Sequence, residues 1–313
     1  MIVQPLLNFY PEKKELPFRE KFPSLPRKLF VSFSGGRSSG YMAHKIKTEY
    51  CQYFDEVVFG IANTGEETEE TLVFSDRCNR EFNLGLVWIE GIVHHGERKG
   101  STHKIVTFET ASRNGEPFEE FIKKYGIPNQ AFPACTRELK LNPLRSYLRS
   151  IGWENGSYVS AVGIRSDEVN RKRSDAGIAG IVYPMADWFP ITKPEINDWW
   201  EEQPFNLGIE DYRGNCKWCW KKSTKKLVRI AKETPEVFDF PARMEELYGF
   251  YGAGKTDEPR VFFRQHMTTK NLLKLVQISA VPPPNSDEVD GSSGCSESCE
   301  AFLAPNENPD EEE

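Results

Sequence analysis

The chain has 313 residues, with 40 Lys and Arg against 47 Asp and Glu and a net charge of −7. That length suits one large α/β domain with an appendage, or two domains. No run approaches the ~20 apolar residues of a membrane-spanning helix, which argues against a membrane protein.

The charge is uneven. After Lys274 there is no Lys or Arg and there are ten acidic residues, so the rest carries 40 basic against 37 acidic residues. The acidic balance therefore leaves room for a polyanionic partner. The chain holds seven cysteines, an odd number, with Cys216 and Cys219 in a CxxC. That usage fits a reducing compartment with a metal or redox site better than a disulfide framework.

Residues 1–27 read as an irregular, proline-spaced arm. The start Met1-Ile2-Val3-Gln4-Pro5 lacks a basic segment followed by an apolar one, so a cytoplasmic location is expected. Leu29–Phe33 reads as a buried strand and Ser39–Lys47 as a helix. Val57–Ala62 reads as a second strand, Glu66–Phe82 as a helix and Leu86–Ile89 as a third strand. This βαβαβ order predicts an α/β fold built on a doubly wound parallel sheet. Residues 93–134 break the rhythm. They are polar, hold His94, His95 and His103, and contain a short helix around Glu116–Tyr125. They read as an insertion at the carboxyl edge of the sheet. Arg137–Ile151 is a predicted helix, Tyr158–Ile164 a fourth strand, Val182–Met185 the start of a fifth, and Pro194–Gln203 a helix. Cys216–Gln277 reads as mostly helical. The predicted division is an arm at 1–27, a nucleotide-binding α/β domain at 28–192, a helical, cysteine-containing subdomain at 193–278, and an acidic tail at 279–313 with two cysteines.

Three strand ends carry the chemistry. Ser34-Gly35-Gly36-Arg37-Ser38-Ser39 links the first strand to its helix. Glycines let backbone N–H groups approach an anion, a helix start adds partial positive charge, and serines donate hydrogen bonds. A serine-capped turn accounts for the same residues. Asn63-Thr64-Gly65-Glu66 follows the second strand, beside that loop in a doubly wound sheet. Gly163-Ile164-Arg165-Ser166-Asp167-Glu168 follows the fourth, with Arg171, Lys172 and Arg173 beyond. Arginine suits bidentate capture of phosphate or sulfate. The bland alternatives are a solvated basic loop and acids favoured at a helix N-terminus.

In this order, SGGRSS, NTGEE and GIRSDE resemble the 3'-phosphoadenylyl-sulfate (PAPS) reductase family, within the adenine-nucleotide α-hydrolase superfamily that includes the ATP pyrophosphatases. The likeness runs from about Lys28 to Pro235. Cys135-Thr136-Arg137-Glu138-Leu139-Lys140 and Gly214-Asn215-Cys216-Lys217-Trp218-Cys219 are similar to the phage and prophage branch, and to the sulfur-transfer protein of DNA phosphorothioation. The resemblance implies that Ser34, Gly35, Gly36, Arg37, Ser38 and Ser39 cradle the phosphates of ATP, or the anionic end of PAPS or adenylyl sulfate. It places Asn63, Thr64 and Gly65 beside the nucleotide and Arg165 at its anionic part, with Arg165 and Ser38 in catalytic roles. ATP pyrophosphatases usually carry Asp where Ser38 stands, so Mg²⁺ would ride on the ATP phosphates and not on this loop.

The resemblance also draws the cysteines together. Cys135, Cys216 and Cys219 with Cys299, or Cys295 in its place, would supply four thiolates. A [4Fe-4S] cluster and a tetrahedral zinc use the same ligands, and the sulfur-chemistry relatives favour iron–sulfur. Cys51 and Cys78 read as packing residues. Arg137, Lys140, Arg145 and Arg149, then Lys217, Lys221, Lys222, Lys225, Lys226 and Arg229, are crowded enough for an RNA or DNA phosphate track, or for a solvated helix surface. Three functions follow. One is ATP-dependent sulfur transfer with α,β-cleavage, supplied by a cysteine desulfurase. The second is PAPS or adenylyl-sulfate reduction through a C-terminal cysteine and thioredoxin. The third is a non-catalytic nucleotide-binding phage accessory protein. Glu297-Ser298-Cys299-Glu300 lacks the Glu-Cys-Gly-x-His of the reductases, which favours the first.

Overall fold

The computed structural model describes residues 26–96, 100–251 and 258–278. The predicted arm, apart from Pro26 and Arg27, and the tail with Cys295 and Cys299 lie outside the described residues. Strand β1 (Lys28–Ser32) is the axis of the sheet. Leu29 and Val31 bury on one face and Phe30 on the other, the double burial expected of a central parallel strand. Helix α1 (Arg37–Lys45) follows, then β2 (Glu56–Asn63), α2 (Glu69–Glu81) and β3 (Val87–Val93). The six-stranded order is β4-β3-β2-β1-β5-β6. All pairings are parallel except β3 with β4. The doubly wound α/β architecture is therefore present, and its order reverses between β1 and β5.

Several elements depart from the sequence reading, among them a short helix at Pro184–Asp187 that begins inside the stretch read as the start of a fifth strand. Strand β4 (Ser101–Val106) lies within the stretch read as a polar insertion. It is a half-exposed edge strand whose Lys104 pairs with buried Glu90 at 2.8 Å, so no apolar alternation announces it. Helix α3 (Glu116–Tyr125) lies where expected. The helix read over Arg137–Ile151 is a π turn at Arg137–Leu141 running into α4 (Asn142–Ser150). Strand β5 is only Val159–Ala161, and β6 only Ile181–Val182. Short helix α5 (Pro184–Asp187) and α6 (Lys193–Glu201) follow.

The CxxC segment also departs from its reading, since it is not helical. Helix α7 (Thr224–Glu233) starts beyond it, where Ser223 accepts the Lys226 N–H. Lys217, Lys221 and Lys222 therefore do not share a helix face with Lys225, Lys226 and Arg229. Helices α8 (Asp239–Tyr248) and α9 (Thr269–Ile278) complete the described chain. Helices α1, α2 and α6 cover the sheet face of Leu29 and Val31, and α4 covers the opposite face through Leu144 and Leu148. A separate core joins α3 to α7, α8 and α9 around Trp218, Phe238 and Phe262. Among the described residues no helix is long and apolar enough to cross a membrane.

Candidate functional site

The loop after β1 turns at Gly35, whose φ is +84°. A side chain there would also meet Thr71 Cγ2 at 2.5 Å, so both backbone and packing demand glycine. Gly36 caps α1 in extended backbone. Ser39 Oγ accepts the Gly36 N–H at 3.2 Å and the Ser34 hydroxyl at 3.1 Å, and donates to Gly36 O at 2.9 Å. The loop is thus closed on the first turn of α1, whose amide dipoles point to the crevice at the strand ends.

Arg165, beyond β5, reaches this turn. The residue is 4% exposed, and its guanidinium donates to Ser38 Oγ at 3.1 Å. Asp167 holds the same group through bonds of 3.0 and 3.3 Å, and Glu168 lies 3.3 Å away. Burial with two carboxylates fixes the cation in one orientation against the loop. Arg37 turns elsewhere: its guanidinium donates to Asn206 Oδ1 at 2.8 Å and to Ile209 O. Asn63 is also engaged within the fold, donating to Glu90 Oε1 at 2.7 Å and to Ser112 O at 2.9 Å.

Asn215 connects the loop to the cysteines. Its Nδ2 donates to Ser34 O at 2.6 Å, and its carbonyl accepts the Thr68 N–H at 2.9 Å. Lys217 N–H donates to Glu66 O, and Cys216 bridges Glu67 in antiparallel register. The GNCKWC and TGEET segments are therefore zipped together beside the glycine loop. Cys135, Cys216 and Cys219 line one cavity of about 30 Å³, with Thr64, Thr136 and Lys140 in its wall. None of the described cysteines is in a disulfide. Its hydrogen bond with Cys219, together with burial, pushes the Cys216 thiol well above its usual range. Lys140 pairs with buried Glu67 at 3.2 Å, and Lys222 Nζ caps the Cys216 carbonyl at 2.5 Å.

The donor chemistry of this cavity suits a soft metal or sulfur group. Two buried donors on it, Thr136 Oγ1 and Trp220 Nε1, have no hydrogen-bond partner among the described residues. Among those residues no three His, Cys, Asp or Glu side chains are close enough to hold an ion as they stand. Cys299 and Cys295, expected as the fourth ligand, lie outside them. The histidines stay apart: His94 bonds Thr102, His95 bonds Glu120 and His103 bonds Ser146.

The chain is similar to proteins whose names carry no activity. It is 29% identical over 284 residues to the uncharacterized nin region protein ORF290 of Escherichia phage lambda, covering 87% of this chain and 94% of that protein. It is 22% and 24% identical to two uncharacterized proteins of Methanocaldococcus jannaschii, over 73% and 71% of this chain. The chain spans only 51% and 42% of those archaeal proteins. No family model matches.

Sequence reasoning missed the pair that ties the two halves together. Glu66 is 2% exposed and accepts the Trp218 indole N–H at 2.5 Å. Burial pushes its carboxyl up to about 7, against the pull of Lys217 and of the Trp218 N–H. From the ordinary 4.5 upward the unfolded chain loses this proton before the folded one does. Stability therefore falls as pH rises through that window, by up to about 3 kcal/mol once both states are ionised. Glu66→Gln keeps an acceptor for Trp218 and removes the titration. The variant is expected to gain on the wild type above about pH 7 and not near pH 4. Urea midpoints on both sides of the window test this; parallel pH profiles would contradict it.

Proposed function

We propose that the chain is an adenine-nucleotide-dependent enzyme of sulfur transfer, of the PAPS reductase-like kind that its motifs resemble. ATP sits with its phosphates at the N-terminal turn of α1. An oxygen of the acceptor attacks the α-phosphorus, the α,β-bond breaks, and pyrophosphate leaves. Sulfur held at the thiol cavity then displaces AMP from the acceptor. Gly35 and Gly36 admit the phosphates to the backbone, and Ser38, held by Arg165, faces the charge that builds on the leaving pyrophosphate. Iron–sulfur or zinc at Cys135, Cys216 and Cys219, completed from outside the described residues, would hold and polarise the sulfur.

One observation supports this reading above the rest: Asn215 donates to the glycine loop while its neighbour Cys216 lines the thiol cavity. Nucleotide and sulfur chemistry are thereby adjacent, as a two-step transfer requires. Cys216→Ala tests the thiol half. Anaerobically purified wild type is expected to carry iron or zinc. The variant is expected to lose it and to melt at lower temperature, since metal binding contributes to folding free energy. Full metal occupancy in Cys216→Ala would refute the assignment.

A further inference from the structure

A second cavity, of about 450 Å³, opens on the opposite sheet face from α1. Phe30 and Ser32 of β1, Leu148 and Arg145 of α4, and Tyr158 and Ser160 at β5 line it. Its cationic side chain stands out. Arg145 is half-buried, and among the described residues neither it nor Arg149 forms an ion pair. The charges acting on Arg145 are those of Arg149 and Arg173, both of its own sign, and the Tyr158 phenol. Arg173 is held by Asp175 at 2.6 Å; Arg145 and Arg149 are left to answer a charge from outside. A half-buried cation without a counter-charge costs stability unless a ligand supplies one.

We propose that this cavity binds a nucleotide unit distinct from the ATP of the glycine loop, with its phosphate on Arg145; Arg149, exposed one turn further along α4 and outside the lining, adds positive field beside it. The chemistry is complementary throughout. The Arg145 guanidinium fork suits phosphate oxygens, and the Arg149 charge close by raises the local positive potential. Phe30, Leu148 and the Tyr158 ring form an apolar wall for a base, and the Ser32 and Ser160 hydroxyls meet its polar edge. Ser32, at the end of β1 two residues before Ser34, brings one end of the lining toward the glycine loop, while Phe30 and α4 place the cavity on the other face of the sheet. Under the proposed function this occupant is the acceptor, and that meaning, though not the binding, rests on that function. The unit is either a free nucleotide or part of a single strand.

Binding of three probes separates these: AMP, a six-nucleotide single-stranded DNA and a six-nucleotide single-stranded RNA, each titrated into the full chain with ATP bound. One of them is expected to bind. Arg145→Gln is expected to weaken it about tenfold or more, the scale of losing a charge-assisted phosphate contact, with ATP binding unchanged. Arg149→Gln is expected to weaken it several-fold. Arg149 is exposed, so that variant serves even where the first fails to fold. Gly36→Val is expected to lose ATP and keep the probe, so the two sites fail separately. AMP binding identifies a free nucleotide, and preference for a strand identifies a nucleic acid. Absence of binding by all three probes overturns the proposal, as does undiminished binding in both arginine variants. Loss of ATP itself in Arg145→Gln would assign the cavity to the ATP site and overturn it equally.

Discussion

Gly36→Val is expected to abolish ATP binding without straining the backbone. Gly36 has φ −96° and ψ 166°, extended backbone that valine adopts readily. The substitution therefore adds little backbone strain, unlike Gly35, where φ is positive and Thr71 fills the space. Gly36 is buried at the cap of α1, so the added side chain must take space at the loop itself. A β-branched side chain at the cap of α1 occupies the place where a phosphate meets the backbone N–H groups. Calorimetry is expected to show no heat of ATP binding by the variant, with circular dichroism showing that it is folded. Unchanged ATP affinity in a folded Gly36→Val would remove the loop from the account.

Arg165→Ala is expected to cut pyrophosphate release by about 10²-fold or more, the scale of losing one preorganised charge-stabilising donor. The guanidinium joins Ser38 on the loop to Asp167 and Glu168 behind it. Its removal leaves the buried Ser38 hydroxyl without its donor and the Asp167 and Glu168 carboxylates without their cation, so uncompensated negative charge near the loop adds to the loss of the donor. Arg165→Lys is expected to recover part of the rate but not all of it, because one ammonium cannot bond Ser38 and both carboxylates in the guanidinium's geometry. Steady-state kinetics on the three proteins checks this. Wild-type turnover in Arg165→Ala would show that Arg165 has only a packing role.

The parts of the site legible in the sequence are those written in local turn chemistry. Ser34–Ser39 between an apolar strand and a helix, and the strand ends at Asn63 and Arg165, lie where the pattern puts them. Contacts between distant residues were not legible. Asn215 reaches Ser34 across 181 residues, and nothing in Gly214-Asn215 marks that bond. Glu66 and Glu67 read as acids at a helix start, but Thr68 caps α2 at its own Thr71 N–H. Both acids are left in the turn, where they bury under the cysteine segment. The basic residues of Arg137–Arg149 read as one surface. The π turn at Arg137–Leu141 shifts the helical phase between its ends. Lys140 then faces Glu67 and the thiol cavity, and Arg145 the second cavity. Arg37, expected at the phosphates, bonds Asn206 because α6 and the chain after it pack over α1.

The central claim is that the glycine loop and the thiol cavity serve one reaction, in which ATP is cleaved between its α and β phosphates. The most direct measurement supplies the anaerobically purified protein with ATP, or with PAPS and thioredoxin, and assays pyrophosphate and sulfite separately. Pyrophosphate from ATP, lost in Arg165→Ala, with no sulfite from PAPS, is the expected result. Sulfite that depends on Cys299, with no pyrophosphate from ATP, would contradict it and make the protein a reductase.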